Sequence, residues 1–249
     1  MRKYSAWMLL GSCLFVDALQ QSVEGEERRA LEHSFRQKDA ETVFTDIYRT
    51  NYWHGWESIS GQGSNVSKTK CIRDALPRLV KDLRIKTMLD APCGDFNWMS
   101  VIVDELDLDL YLGIDIVKGI VKDLQQRYGS ARRVFIHANL IDAPIPNVDL
   151  IFSRDCLAHL SYTDAIAVIR NFKESGSKYL LTSHHLNTNA NWNIVSGDHY
   201  PIKLTVAPFN FPEPLLVIEE KDAELASSHQ GKCLALWCLD DVDIPQFKA

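Results

Sequence analysis

The sequence predicts a doubly wound α/β fold with a seven-stranded, mostly parallel sheet and an antiparallel strand pair at its C-terminal end. From Lys86 onward, short apolar runs alternate with amphipathic segments of helical period, which is typical of βαβ units. Runs such as DLIF and YLLT are apolar at consecutive positions, as in parallel strands covered on both faces. Near the C-terminus two apolar runs follow each other without an intervening helical segment, which favours antiparallel pairing.

The segment that precedes the sheet is predicted to be helical and then irregular. Four apolar residues recur at helical spacing and should face the body of the domain: Val43, Phe44, Ile47 and Tyr48. The stretch ESISGQGSNVSKT then reads as a loop because it is rich in Gly, Ser and Asn. Ser67 is expected to cap the following helix, KTKCIRDALPRLVKDL, in which Pro77 should mark a kink or break.

The strands and helices of the sheet region follow in alternation. We expect five parallel strands at TMLDAPC, LYLGIDI, RVFIHANL, VDLIFSRDC and KYLLTSHHL, and the antiparallel pair at PLLVIEEKD and KCLALWCL. Helices are predicted at NWMSVIVDEL, VKGIVKDLQQRYG and TDAIAVIRNFKESG, joined to the strands by right-handed crossovers. The long polar stretch TNANWNIVSGDHYPIKLTVAPFNFPEP is expected to be either a lid over a functional site or a surface excursion.

The first 18 residues differ in composition from the rest of the chain. Arg2 and Lys3 precede an apolar run of about 13 residues, shorter than the roughly 20 that a bilayer span needs. We interpret residues 1–18 as a signal peptide cleaved after Ala18, which would place the protein in the lumen of the secretory pathway or outside the cell. An uncleaved membrane anchor, an organellar presequence or a docked hydrophobic helix are the alternatives.

Composition excludes several functional classes. The net charge is -6, and Arg132-Arg133 is too short a basic run to form a nucleic-acid surface, so no nucleic-acid partner is expected. Six cysteines, one of them in the N-terminal segment, do not make a disulfide scaffold, and no Cys/His set has zinc-ligand spacing, so no metal is predicted. Asn65 begins a sequon that matters only if the chain enters the secretory pathway.

The turn LDAPCGDFNWM, residues 89–99, comes where an open α/β sheet binds ligands, at the carboxyl end of the first strand. Gly94 lets the backbone approach a ligand more closely than a residue with a Cβ would. A dinucleotide site needs G-x-G-x-x-G, whereas this turn has one glycine and the carboxylates of Asp90 and Asp95, which would repel a diphosphate. A ligand that carries an amino group suits the turn better.

The ends of the next two strands carry side chains that suit a nucleoside. Asp115 follows Gly94 by 21 residues, about the separation at which an acidic residue accepts both hydroxyls of a ribose. Asn139 ends the third strand, and its amide can both donate to and accept from a purine edge.

An acid and an imidazole follow the fourth strand. Asp155 lies just past it and His159 comes four residues later, on the same face if a helix has begun. Such a pair could remove a proton from an acceptor hydroxyl, although a helix cap and a buried structural histidine are equally compatible with the spacing. His184 and His185, after the fifth strand, are rival candidates for the base.

Taken in order, these motifs resemble those of class I S-adenosylmethionine-dependent methyltransferases. More narrowly, the chain resembles a group of methyltransferase-domain proteins whose sequences read DxPCGDFNWM. The matching pieces here are FTDIYRTNYWHGWESISGQGS, IRDALPRL, YLGIDIV, RDCLAHL, NFKESGSKYLL and CLALWCL, which extend over roughly residues 41–240. The resemblance implies a Rossmann-like methyltransferase fold over residues 67–249, preceded by a helical lead-in and cofactor lid at residues 19–66.

The resemblance also implies roles for particular residues. The first loop, which would contact the methionine part of the cofactor, would be formed by Asp90, Ala91, Gly94, Asp95 and Phe96. The rest of the cofactor site would be formed by Asp115 and Ile116, Asn139 and Leu140, Arg154 beneath the methyl group, and Trp53, Ser60 and Gly61 of the lead-in. Asn139 is a departure, because many relatives carry Asp at that position, and weaker adenine binding is expected from it.

The predicted function is transfer of a methyl group from S-adenosyl-L-methionine to a small-molecule or glycan acceptor, with a hydroxyl as the methylated group. Asp155 and His159 are the predicted catalytic residues. Membrane contact is expected only through an uncleaved N-terminal segment. A non-catalytic binding module with the same fold is the first alternative, and a dinucleotide-dependent oxidoreductase is the second.

Overall fold

The computed structural model describes residues 33–221 and 231–245. Its contacts divide the chain into two units at Asp39. The first unit is described only at residues 33–39, where a helical turn covers 33–35. The second unit, residues 40–249, contains the sheet and the segment that leads into it. Residues 1–18, which carry the predicted signal peptide, lie outside the described residues.

The second unit alternates helices and strands in the predicted order. Its strands are β1 Thr87–Asp90, β2 Leu110–Asp115, β3 Arg133–His137, β4 Leu150–Ser153, β5 Tyr179–His185, β6 Leu216–Glu219 and β7 Lys232–Cys238. Its α-helices are α1 Ala40–Thr50, α2 Lys70–Asp82, α3 Met99–Ile102, α4 Lys118–Tyr128 and α5 Tyr162–Glu174. Short 3-10 turns cover Gln62–Ser64, Val66–Thr69, Val103–Leu106, Leu157–His159 and Leu239–Asp241.

The seven strands form one sheet in the order β3-β2-β1-β4-β5-β7-β6. The first five strands are parallel, and β7 lies antiparallel between β5 and β6. The strand order reverses direction between β1 and β4, so the carboxyl ends of β1, β2 and β4 meet at the switch point where open α/β sheets bind ligands. The predicted fold class, including the antiparallel C-terminal pair, is confirmed.

Helices cover both faces of the sheet, which makes it doubly wound. One cluster of buried side chains joins Met88 of β1 to α2, α3 and α4, and the other joins Leu89 of β1 to α5. Adjacent residues of one strand enter different clusters because successive strand side chains point to opposite faces. The central strands therefore have no polar face, as their continuous apolar sequences predict.

The long segment between β5 and β6 forms no helix or strand, yet it belongs to the core. Five of its side chains are buried in the same cluster as α5: Tyr200, Ile202, Leu204, Phe209 and Phe211. Asn191 closes the segment on itself, because its amide nitrogen donates to the carbonyls of Lys203 and Ala207 and its oxygen accepts from the Lys203 N–H. A plain surface excursion is therefore the wrong interpretation of this segment.

The cap of α2 predicted at Ser67 and the break predicted at Pro77 do not occur. The helix begins at Lys70 after a 3-10 turn, with Thr69 before it and no side-chain cap, so Ser67 does not cap it. The helix also runs unbroken through Pro77. Ile72 and Leu76 before the proline and Leu79 after it are buried in one cluster, so packing outweighs the lost hydrogen bond.

The described cysteines form no disulfide, and the asparagine of the sequon is buried. All five described cysteines are free thiols; Cys93 and Cys156 are buried, as predicted, and Cys233 and Cys238 do not pair. Asn65 is 4% exposed, so the folded domain does not present its side chain to a modifying enzyme. None of the described helices has the length and apolar composition of a membrane span.

Candidate functional site

The ends of β1 and β2 are joined through a buried carboxylate. Asp115, the last residue of β2, accepts the Gly94 N–H at 3.0 Å and the Val117 N–H at 2.9 Å. Each carboxylate oxygen keeps a second lone pair, so the group can still accept two ligand hydroxyls. The sequence separation that suggested a ribose-binding acid thus corresponds to direct contact with the first turn.

Two carboxyl groups at this edge have unusual acidity. Burial raises the pKa of Asp90, which ends β1, to about 7, although the hydrogen bond from the Tyr111 hydroxyl opposes the effect. Burial also raises the pKa of Asp115 to about 6, against the hydrogen bonds from the Val117 and Gly94 N–H groups. Carboxyl groups that titrate near neutrality at the ligand-binding end of a sheet are typical of functional sites.

The first turn after β1 holds two residues in the left-handed region. Gly94 has φ +53° and Phe96 has φ +60°. The Phe96 ring is buried and packs edge-on against Tyr111, Tyr128 and Phe135, with ring centroids 5.1 to 5.4 Å apart. Phe96 therefore anchors the turn in the core with its side chain. Ala91 is fully buried, and its N–H donates to the Phe152 carbonyl of β4 at 2.9 Å.

Gly94→Ala is expected to destabilise the protein by about 1–2 kcal/mol, because a left-handed backbone places Cβ against the following carbonyl. The new Cβ would also lie 2.4 Å from Ser60 Oγ. Gly119→Ala in α4 is the matched control: its Cβ meets nothing nearer than 4.0 Å, and a helical alanine should stabilise by about 0.5 kcal/mol. Urea denaturation of both variants measures whether the changes in the free energy of unfolding have opposite signs. Equal changes would contradict backbone strain at Gly94.

Asp95 attaches the lead-in to the first turn. Its carboxylate accepts from the hydroxyls of Ser58 and Ser60, at 2.9 and 3.2 Å, and from the Ile59 N–H at 2.9 Å. The Asp95 N–H donates back to Ser60 Oγ at 2.9 Å. The resemblance assigns Asp95 and Ser60 to the cofactor site, and in this structure their side chains bind each other.

A second contact repeats this attachment a few residues away. Glu57 Oε1 accepts the Val66 N–H at 2.7 Å and the side-chain amide of Asn97 at 2.6 Å. The same Asn97 amide donates to the Ser64 carbonyl at 3.1 Å. The lead-in between residues 57 and 66 is therefore a fixed wall of the site.

The end of β3 contributes Asn139 and Leu140. The Asn139 side-chain oxygen accepts the Ile141 N–H at 3.0 Å, which leaves its amide nitrogen as the polar group that could meet a purine. Leu140 is buried, and its carbonyl accepts from Asn171 of α5. Ile116, after β2, is half-buried, and its carbonyl contacts the His137 ring nitrogen at 3.0 Å.

A cluster of four charged side chains closes the end of β4. Arg154 Nη2 lies 2.7 Å from Glu220 Oε2 and donates to the Gly63 carbonyl of the lead-in at 3.0 Å. Lys232 Nζ lies 2.6 Å from Asp155 Oδ2 and 3.7 Å from Glu220 Oε2. The two positive charges balance the two negative ones, as burial requires.

Asp155 has the wrong chemistry for a base. Burial alone would raise the pKa of its carboxyl, but Lys232 and Arg154 hold this pKa well below its usual range. Ser183 Oγ accepts the Asp155 N–H at 2.8 Å and donates to its carboxylate at 3.0 Å, which fixes a residue whose φ is +55°. Its proton affinity is too low for general-base work.

His159 has the opposite properties. Its Nδ1 lies 2.8 Å from the Asp198 carbonyl, which can only accept, so Nδ1 carries the proton and Nε2 keeps a lone pair. Burial lowers the pKa of the imidazole, and the nearby Asp155 carboxylate offsets this only in part. His159 is therefore neutral at pH 7 and can accept a proton at Nε2.

Two aromatic rings lie close to the ring of His159. The Trp53 ring of the lead-in and the His199 ring of the segment before β6 each have their centroid 5.0 Å from that of His159. Gly61, at φ +97°, passes so close to Trp53 that an added Cβ would lie 3.3 Å from the Trp53 Cβ. Lead-in and segment thus meet at the candidate base.

The rival histidines are structural. His184 Nδ1 accepts the Leu204 N–H at 3.1 Å, and burial lowers the pKa of its ring to about 4. The backbone N–H of His185 donates to the Ile202 carbonyl at 2.9 Å, and its ring also contacts that carbonyl. Both histidines are buried and hold the segment before β6 onto β5.

Sequence reasoning missed Glu220, Lys232 and Ser183. A usable signal existed for the first two, because VIEE and KCLALW are the predicted antiparallel strands and each has a charged residue at one end. Their register pairs Glu219 with Cys233, and the Glu220 N–H donates to the Lys232 carbonyl at 3.1 Å. Within the described ranges, no group of three His, Cys, Asp or Glu side chains could hold a metal ion.

Known proteins resemble this chain in structure. No family model matches the sequence, and no curated protein matches it significantly. Magnesium protoporphyrin IX methyltransferase from Synechocystis PCC 6803, solved with S-adenosylmethionine, has a TM-score of 0.54 at 16% identity, covering 80% of this chain and 96% of that one. The bacterial CtHen1-CN methyltransferase domain scores 0.52 at 13% identity, covering 69% and 99%. Human N-acetylserotonin methyltransferase, also solved with S-adenosylmethionine, scores 0.52 at 13%, covering 80% and 59%. The chain therefore has the Rossmann-like methyltransferase fold.

Proposed function

We propose that this protein transfers a methyl group from S-adenosyl-L-methionine to a hydroxyl of a small molecule or glycan. The observation that carries the proposal is the contact between Asp115 and the Gly94 N–H, which brings a buried carboxylate from β2 onto the turn after β1. This pairing suits a nucleoside whose ribose binds the carboxylate and whose remaining part extends along the turn.

The buried carboxyl groups of the site fit a cationic nucleoside. Asp90 and Asp115 are buried carboxyls at the ends of adjacent strands, and the turn between them lacks the glycines that a diphosphate requires. Burial raises the pKa of both groups, and an ammonium or sulfonium brought close would lower these pKa values and favour ionisation. In this proposal Asn139, Leu140 and Ile116 meet the adenine, while Trp53 and Gly61 form the lead-in side of the site.

Methyl transfer to a hydroxyl requires one base and accurate positioning of the acceptor. S-adenosylmethionine supplies an activated methyl group on a sulfonium that leaves as a neutral thioether. His159 takes the acceptor's hydroxyl proton at Nε2 while the new oxygen–carbon bond forms, and its Nδ1–H stays on the Asp198 carbonyl. The lead-in and the segment before β6 hold the acceptor in line and exclude water. Asp155 supports the turn that carries His159 without exchanging a proton.

Thermal denaturation of the full chain with S-adenosylhomocysteine and, separately, with NAD tests the cofactor. A ligand that binds the folded state should stabilise it by about 2.7 kcal/mol at about 100 times its dissociation constant. We expect this gain with S-adenosylhomocysteine and none with NAD. No gain with S-adenosylhomocysteine would favour a binding module without the cofactor, and a gain with NAD alone would favour an oxidoreductase.

Radiolabelled methyl transfer to a panel of alcohols, phenols, amines, thiols and glycans tests the acceptor class. Label is expected on oxygen, and His159→Gln should abolish it while binding of S-adenosylhomocysteine persists, because Gln has no comparable basic nitrogen. Label found only on nitrogen or sulfur acceptors would contradict the hydroxyl assignment while leaving the cofactor assignment intact.

A further inference from the structure

We propose that Lys232 is a positioning residue for His159: its ammonium neutralises Asp155, so that this carboxylate does not draw a proton onto the candidate base. The inference rests on the proposed function only in taking His159 as the base. Lys232 begins β7, far along the chain from the RDCLAH stretch, and nothing in its own sequence neighbourhood suggests a part in the reaction.

The geometry joins the two residues through one carboxylate. Lys232 Nζ lies 2.6 Å from Asp155 Oδ2, and the Lys232 side chain is only 7% exposed. Asp155 and His159 belong to one tight turn, in which a 3-10 segment, Leu157–His159, follows Asp155 almost directly. Gly63 of the lead-in lies close to both Lys232 and Asp155. A Cβ at this position would be 3.9 Å from Asp155 Oδ2 and 4.0 Å from Lys232 Nζ.

Arg154 shares its charge between the two carboxylates, whereas Lys232 is the nearer cation to Asp155. The Arg154 guanidinium donates to both oxygens of Glu220, at 2.7 and 3.4 Å, and to the Gly63 carbonyl. Its Nη1 lies 3.3 Å from Asp155 Oδ2, compared with 2.6 Å for Lys232 Nζ. Without Lys232 the buried cluster would hold one positive and two negative charges. The excess negative charge would lie beside the imidazole of His159.

The charged and titratable groups facing His159 come from three parts of the chain. Its own turn supplies Asp155, β7 supplies Lys232, and the segment before β6 supplies Asp198 and the His199 ring. Asp155 and Asp198 favour the imidazolium, whereas Lys232 and burial disfavour it. Because the charges of Asp155 and Lys232 oppose each other, removing either one should shift the titration of His159 in a definite direction.

Histidine ring carbon resonances of the full-length protein, followed by NMR against pH, measure this directly. His159 is identified by the signal that disappears in His159→Gln. Lys232→Met should move the His159 midpoint upward, and Asp155→Asn should move it downward. Lys203→Met is the matched control: it removes a lysine that acts on His184, so it should leave the His159 midpoint unchanged.

Opposite shifts of the His159 midpoint distinguish this proposal from a purely structural role. If the substitutions only loosened the turn, the midpoint would move in the same direction in both variants, toward the pKa of an exposed histidine. An unchanged or lowered His159 midpoint in Lys232→Met would overturn the proposal. An unchanged or raised midpoint in Asp155→Asn would overturn it as well, and this second test remains if Lys232→Met does not fold. Thermal stabilisation by S-adenosylhomocysteine, measured on the same samples, reports on the proposed function independently of the histidine titration.

Discussion

Asp115→Asn is expected to weaken binding of S-adenosylhomocysteine by about thirtyfold, since hydrogen bonds to a charged group are worth about 2 kcal/mol. The carboxylate oxygens each accept one backbone N–H, from Gly94 and from Val117, and each can accept a ribose hydroxyl as well. Asparagine would turn one acceptor into an NH₂ group that faces a backbone donor. Both the ligand contact and the turn that carries Gly94 would suffer.

Titration calorimetry of the wild-type and variant proteins measures the loss. Asp109→Asn is the matched control, because Asp109 is exposed and precedes β2 at the opposite end of the strand. It should bind S-adenosylhomocysteine with wild-type affinity. If Asp115→Asn and the wild-type protein bind with equal affinity, the ribose does not bind at the end of β2. The main argument for the proposed function would then be lost.

From the raised pKa of Asp115 we expect pH to have opposite effects on ligand binding and on stability. With the pKa of Asp115 at about 6, a ligand that needs the carboxylate should bind about tenfold more weakly for each pH unit below 6. In the ligand-free protein the raised pKa means that the folded state holds the proton more tightly than the unfolded chain does. Its contribution to stability therefore increases as pH falls from about 6 toward 3.8, the ordinary value. Asp115→Asn should remove the contribution of this carboxyl from both profiles, while Asp90, whose pKa is about 7, continues to contribute.

Glu220→Gln is expected to reduce the free energy of unfolding by about 3 kcal/mol, because removing one partner of a buried ion pair leaves the other charge without compensation. The Arg154 and Glu220 side chains are 5% and 4% exposed, so water cannot replace the lost carboxylate. Lys232 would lose its second anion as well, at 3.7 Å.

Glu219→Gln provides the comparison at the neighbouring residue. Glu219 pairs with Lys221 on the surface, with side chains 54% and 73% exposed, and such pairs contribute less than about 1 kcal/mol. Urea denaturation at pH 7 should therefore separate the two variants clearly. Similar small losses in both would show that the charged cluster at the end of β4 is not a stabilising unit.

Much of the fold was predictable because strand and helix periods are local properties of the sequence. Continuous apolar runs such as DLIF favoured central strands, and their alternation with amphipathic helices implied a parallel sheet. Local propensity favours a cap at Ser67 and a break at Pro77. The helix α2 instead begins at Lys70 and continues through Pro77, with buried side chains of one cluster on both sides of the proline.

The site was predictable only where it follows from the topology. Asp90 and Asp115 end adjacent parallel strands, so their proximity follows from the strand order. Asp95 seemed equally available for a ligand. The hydrogen-bond donors that the lead-in offers to its carboxylate, two serine hydroxyls and a backbone N–H, became visible only in three dimensions. The partner of the His159 Nδ1, a backbone carbonyl 39 residues later, has no sequence signature at all.

The place of β7 between β5 and β6 has a consequence for biosynthesis. The chain emerges from its N-terminus, so β1 to β5 and the Asp155–His159 turn are made before Lys232. Until β7 enters the sheet, β6 has no partner strand and Asp155 has no lysine beside it. The described sheet and the ion pair between Lys232 and Asp155 are therefore completed in the same late step.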